Sequence, residues 1–148
     1  MRRQTEFTAK WFQGKKNSSD AFYVRTQVFI IEQGFSPEGE FDEIDKQSWH
    51  VVLYDGDEPV ATGRTFLQDG VYQIGRICVV EPYRRHHLGR RVMELLEEKI
   101  RSLGGDRAHL SAQMQAKGFY KKLGYQEQGE PYMDEHCPHI AMEKQLRP

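Results

Sequence analysis

The chain has 148 residues, the size of one domain, and a chain of that length buries enough surface to fold without disulfide or metal staples. Its 21 basic and 22 acidic residues leave a net charge of −1, which excludes a global field drawing the protein to nucleic acid or to a membrane, so any polyanion site must be local. Two cysteines, Cys78 and Cys137, make no disulfide framework, no stretch approaches the ~20 apolar residues of a membrane span, and the N-terminus lacks the apolar run of a signal peptide. A cytoplasmic protein made of a single domain over residues 1–148 is expected.

Taken in chain order, Thr5 to Phe12 carries Phe7, Ala9 and Trp11 on one face and reads as a strand ending at Gly14. Asn17 to Asp20 supplies capping residues for a helix with Phe22, Arg25, Val28, Phe29 and Glu32 at helical spacing, stopped by Gly34. Residues 36–47 come next as a polar loop holding Glu38, Glu40, Asp42, Glu43 and Asp45. Two readings stay open for it: a flexible, solvated surface loop, or a rim that attracts a cationic amine. A calcium loop is disfavoured, because the ligand spacing and glycine placement are missing.

Trp49–Tyr54, Val60–Leu67 and Val71–Val80 read as an antiparallel meander joined by turns at Asp55-Gly56-Asp57 and Gln68-Asp69-Gly70. Leu88 to Leu103 places Leu88, Val92, Leu95, Leu96, Ile100 and Leu103 on one stripe, an amphipathic helix ended by Gly104-Gly105. Arg107–Ala112 is strand-like, and Gln115–Leu123 is a second amphipathic helix closed by Gly124. The tail holds two weaker strand candidates, around Tyr125–Glu130 and His139–Glu143, broken by Pro131 and Pro138.

Residues 77–91 join an apolar strand to the most regular helix through a loop dense in positive charge. A helix start presents unpartnered N–H groups and the positive end of the macrodipole, so this layout suits a phosphate. Arg84, Arg85, Arg90 and Arg91 add charge, and Gly89 lets a ligand approach the backbone. The plainer reading is a solvated basic loop.

Arg84-Arg85-His86-His87-Leu88-Gly89, after a Val-Val strand, resembles the acetyl-CoA pyrophosphate loop of the GNAT superfamily of N-acetyltransferases: Arg or Gln, two variable residues, Gly, one variable residue, then Gly or Ala. Arg84 and Gly89 match, and His87 stands where the first glycine is expected. The stretch from Gln113 to Tyr125 is similar to the superfamily's other signature, matching at Ala116, Phe119, Tyr120, Leu123 and Gly124, with Gln113 in place of the usual Asn. A wider resemblance covers nearly the whole chain. Phe22-Tyr23-Val24-Arg25, Val28-Phe29, Glu32-Gln33, His50, Gly63-Arg64, Arg76, Leu110-Ser111-Ala112-Gln113, Gly129-Glu130 and Pro138-His139-Ile140 with Met142 look like the ElaA-type subgroup, which commonly reads Asp-Gly-Ile-Pro-His where this chain has Glu135-His136-Cys137-Pro138-His139.

The resemblance implies an α/β (α+β) GNAT acyl-CoA N-acyltransferase fold, a mixed central sheet of about six or seven strands flanked by about four helices. It implies that the strands at 71–80 and 107–112 splay, so that the pantetheine arm of CoA pairs with Ile77, Cys78 and Val79. The pyrophosphate would lie on Arg84, Arg85, His86, His87, Leu88, Gly89 and Arg90, with Gln113, Ala116, Phe119 and Tyr120 completing the cofactor site. The reaction implied is direct acetyl transfer from acetyl-CoA to a primary amine, with Tyr120 protonating the leaving thiolate and a backbone N–H near Val79 stabilising the oxyanion. On spacing alone, Ala116 and Tyr120 share a helix face, and a tyrosine on a helix facing a sheet is more often core than catalyst.

An amine must lose a proton before it attacks, and Glu32, Glu130, His139 and His50 are the candidate bases, with Glu32 bordering the acceptor site by family likeness. Cys78 lies in an apolar run without an adjacent base and reads as a packed thiol. His136, Cys137 and His139 are too crowded for a metal site, and no metal is expected. The acceptor implied is a small amine, cationic if the acidic loop forms its rim; nucleic acid and membrane are not expected as partners, and the protein is expected as a monomer or homodimer. Two other readings stay open: a non-catalytic acyl-CoA sensor on the same fold, and nucleic-acid binding through Arg84, Arg85, Arg90 and Arg91, which the near-neutral charge and lack of interleaved aromatics disfavour.

Overall fold

The computed structural model describes residues 6–147. They form one seven-stranded sheet, in the order β1 (Phe7–Gln13), β2 (Trp49–Asp55), β3 (Glu58–Gln68), β4 (Val71–Val79), β5 (Arg107–Gln113), β7 (Cys137–Gln145) and β6 (Gln126–Asp134). All neighbours run antiparallel except β4 and β5, the pair joined through a helix. Four α-helices flank the sheet: α1 (Ser19–Arg25), α2 (Pro37–Glu40), α3 (Leu88–Ser102) and α4 (Lys117–Lys122). The expected mixed sheet and helix count are therefore present.

Both faces of the sheet are covered, which explains the unbroken apolar run in β2. Val51 and Leu53 face the large core under α3, whose stripe of Leu88, Val92, Met93, Leu96 and Ile100 is buried. Val52 and Tyr54 point the other way, onto Ala21 of α1, by the two-residue period of a strand. Val24 and Val28 pack with Cys78 on that second face. Gly63 allows α3 to sit close: a Cβ there would lie 2.5 Å from Ile77 Cδ1 and 2.7 Å from Val92 Cγ1.

Three segments depart from the sequence expectation. The first helix continues past α1 as a π-helix over Thr26–Glu32, with Gln33 N–H bonded to Val28 O at 3.0 Å. The extra residue per turn rotates the end of this helix, so that Phe29, Glu32 and Gln33 all reach one cavity. Residues 36–47 are ordered as α2 and a 3₁₀ turn at Glu43–Gln47, not a flexible loop. In the tail, β6 and β7 run through both prolines. Pro131 sits where the β6 register shifts, next to Gly129 at φ 76°, and Pro138 precedes the first residue of β7 that pairs with β5.

Candidate active site

β4 and β5 pair through only three residue couples, Tyr72–Ala108, Gln73–His109 and Ile74–Leu110, although both strands continue. The pairs of β3 with β4 explain why. Thr62 faces Cys78 and Arg64 faces Gly75, so Gly63 opposes both Arg76 and Ile77. This bulge, with Arg76 at φ 54°, bends the end of β4 away from β5 and opens a wedge. Val80 N–H bonds Val60 O at 3.0 Å, so by antiparallel alternation Val79 turns its own N–H and C=O away from β3, toward the wedge. Val79 O accepts from Arg84 Nε at 3.0 Å.

The wedge is the middle of a cavity of about 630 Å³ that collects Glu32, Ile77, Cys78, Val79, Arg84, Gly89, Gln113, Ala116, Phe119 and Tyr120 in its walls. A neighbouring hollow of about 770 Å³ adds Arg85, His87, Leu88 and Arg90, and shares Val79, Arg84, Gly89 and Phe119 with the first. Of the residues that the resemblance assigns to the cofactor, His86 alone lines neither; its ring lies against Phe7 and Tyr83. Tyr120 is 8% exposed, packed edge-on to Phe119 and Tyr125, and its hydroxyl makes no hydrogen bond to another described residue. Burial, with the nearby Cys78 thiol, pushes its phenol above the ordinary tyrosine range, so it stays protonated. Burial likewise raises the Cys78 thiol, which removes thiolate nucleophilicity at neutral pH. Gln113 donates to Gln33 Oε1 at 2.8 Å and accepts from Gln115 Nε2 at 2.7 Å, tying the end of β5 to the π-helix.

His87 caps α3 in the left-handed region, at φ 59°, without a side-chain cap bond. The glycine of the expected pattern thus answers a backbone need, which a histidine meets at a cost of roughly 1 kcal/mol. His87→Gly is expected to raise stability by about 0.5–1 kcal/mol in urea unfolding, with CoA affinity at least retained. Because no side chain caps the helix, the first-turn N–H groups of α3 stay available at the hollow lined by Arg85 and Arg90. Gly89 lies under Phe119, whose Cζ would be 3.3 Å from an added Cβ.

Glu32 is engaged. Arg84 holds its carboxylate in a two-pronged pair, Nη2 to Oε1 at 2.6 Å and Nη1 to Oε2 at 2.7 Å, and those hydrogen bonds keep it below the usual carboxylate range. The pair bridges the π-helix to the basic loop across the cavity mouth. Of the other candidate bases, Glu130 is exposed in the β6 bulge and His50 is buried beside Asp45 O at 3.3 Å; neither lines the cavity. His139 does line it, opposite Gln113 in the β5–β7 register and opposite Tyr132 in the β6–β7 register. Phe35, Ser111, Asp134 and Glu135 complete this end. Tyr132 hydroxyl bonds Ser111 Oγ, and Glu135 accepts from the N–H and hydroxyl of Ser36 at 3.2 and 3.1 Å. No sequence motif pointed to Phe35 or Asp134; Asp134 is placed here by its pairing with Cys137.

The acidic segment beside the cavity is neutralised from within the fold. Arg25, fully buried, binds Glu40 Oε2 at 2.8 Å and Asp45 Oδ1 at 2.7 Å. Arg64 bridges Asp42 and Asp45 at 2.8 and 2.7 Å, and Arg76, held in its left-handed bulge, reaches Glu40 at 3.1 Å and Asp42 at 3.3 Å. Burial alone would raise Asp42 and Asp45, but their arginine partners hold both low, whereas burial wins at Glu40 and raises it. Glu40, Asp42 and Asp45 therefore supply no free negative charge for a cationic ligand. Among the described residues, no cluster of three or more His, Cys, Asp or Glu side chains is placed to hold a metal, and no helix is long and apolar enough to cross a membrane.

A parallel pair wedged open beside a bulge, with an uncapped basic helix start at its mouth and a buried phenol inside, is a layout suited to acyl transfer. Residues 18–146 match the family model described as an acetyltransferase (GNAT) domain, and the chain belongs to that family. It is 42% identical to the uncharacterized N-acetyltransferase YjcF of Bacillus subtilis, over 84% of this chain and 90% of that protein. Among solved structures, an acyl-CoA N-acyltransferase from Pseudomonas aeruginosa is 26% identical with a TM-score of 0.81, covering 95% of this chain and 99% of that one. Escherichia coli ElaA is 25% identical with a TM-score of 0.81, covering 96% of this chain and 100% of that one. The expected family and its ElaA-type likeness are thus both found.

Proposed function

We propose that residues 1–148 act as a single cytoplasmic domain that transfers the acetyl group of acetyl-CoA directly to a primary amine of a small acceptor. The observation that supports this most is the unbonded hydroxyl of Tyr120 in the same cavity as the outward-turned backbone of Val79. In this reading the pantetheine arm lies along Ile77, Cys78 and Val79, and its pyrophosphate on the start of α3 with Arg85, His87, Leu88, Gly89 and Arg90. The amine nitrogen bonds the thioester carbon as the C–S bond breaks. Val79 N–H takes the negative charge building on the thioester oxygen, and Tyr120 passes its proton to the departing sulfur. Glu32 serves as the partner that holds Arg84, which in turn fixes Val79 O. Asp134 and Glu135 at the far end favour a cationic amine.

The test is a panel of small amines incubated with acetyl-CoA, read by thiol release and by the mass of the acetylated acceptor. Thiol release coupled to acetylation of at least one amine is the expected result. Tight CoA binding without transfer across the whole panel would instead make the protein an acyl-CoA sensor.

A further inference from the structure

We propose that His139 is the general base that deprotonates the acceptor amine, acting through Nε2; the assignment rests on the N-acetyltransferase reading above. His139 Nδ1 lies 2.9 Å from Cys137 O. A carbonyl only accepts, so in the neutral ring Nδ1 carries the proton and Nε2 the lone pair. Nε2 has no partner among the described residues, and the side chain, 7% exposed, forms part of the cavity wall. The ring is held there by stacking on Tyr132, at 6.2 Å between centroids and 27° between planes. Tautomer and orientation are both set before a substrate arrives, as a base requires.

Of the other basic groups in the cavity wall, all the carboxylates but Asp134 are already engaged. Glu32 gives both oxygens to Arg84, Glu40 is paired with Arg25 and Arg76, and Glu135 is bonded to Ser36. An ordinary carboxylate is also a much weaker base than an imidazole, whose proton affinity matches neutral solution. The step balances without another reactant. His139 Nε2 takes the ammonium proton and passes it to solvent, which frees the lone pair. As the C–N bond then forms Nε2 takes the second amine proton, Tyr120 gives its proton to the thiolate as the C–S bond breaks, and the imidazolium proton returns through solvent to the phenolate.

His139→Asn keeps an N–H that can donate to Cys137 O but removes the Nε2 lone pair, which separates the basic role from a structural one. The expected result is a fall of about 100-fold in kcat, with CoA affinity and melting temperature unchanged. In His139→Ala, added imidazole is expected to recover about tenfold of the lost rate. Nitrogen NMR of the unliganded protein is expected to show the neutral ring protonated at Nδ1. Transfer by His139→Asn at the wild-type rate, or an Nε2-protonated ring, overturns the assignment while leaving the acetyltransferase reading intact. If the wild type releases no thiol with any amine, both fall together.

Discussion

Tyr120→Phe is expected to slow acetyl transfer about 1,000-fold while leaving CoA affinity and stability almost untouched. In the folded chain the hydroxyl makes no hydrogen bond to a described residue, so its removal orphans no partner there. The ring keeps its edge contacts with Phe119 at 5.0 Å and Tyr125 at 6.1 Å, and phenylalanine preserves both. The transition state is different. A thiolate released beside the buried Tyr120 ring is penalised as an unpaired, partly desolvated charge, and a proton delivered as the C–S bond breaks avoids that charge. Burial raises the phenol and so ensures that the proton is present across the working pH range. Single-turnover rates with CoA affinity measured separately check this, and a rate within about threefold of wild type would remove Tyr120 from the acid role.

Asp45→Ala is expected to cost about 3–5 kcal/mol of folding stability, the usual penalty for removing one member of a buried ion network. Asp45 is fully buried and binds both Arg25 and Arg64, so its loss leaves Arg25 with one carboxylate partner inside the protein. Against a total of about 5–15 kcal/mol for a domain, this is a large fraction. The melting temperature should fall by roughly 10 °C or more. The network also fixes a pH dependence. Asp42 and Asp45 titrate below their unfolded values, so their contribution is complete above about pH 4 and is lost as pH falls through the lower folded values. Glu40, raised by burial, takes its proton earlier in the same descent. Asp45→Asn should therefore flatten the acid limb of a stability-versus-pH curve. A loss under about 1 kcal/mol for the alanine variant would contradict this account.

The fold was largely legible because its signals are local. The stripe of α3, the turns around β3 and the Ala116–Tyr120 helix each reside in a short window of sequence. Neither reading left open for the acidic segment, a flexible loop or a rim for a cationic amine, included an internal ion network, because Glu40, Asp42 and Asp45 find partners at Arg25, Arg64 and Arg76, and charge composition does not reveal which charges meet. The breaks expected at Pro131 and Pro138 reflect a rule about strand interiors, whereas one proline sits in a bulge and the other before the β5 pairing begins. At the site, the motifs marked the cofactor side. The opposite end is assembled from single residues of the π-helix, β5, β6 and the β6–β7 turn, and only register brings them together. Glu32 stood out by its helix position, but its engagement by Arg84 depends on a contact 52 positions along the chain.

The positive-φ turn at Arg76 does more than bend β4. Its guanidinium grips the carbonyls of Gly39 and Glu40, residues that form part of the cavity wall. The same distortion that opens the wedge thus also fastens this wall of the cavity. Because that wall is already held in place, little entropy is lost in organising it when a ligand enters, so selectivity is expected to rest on shape set at folding rather than on closure around each guest.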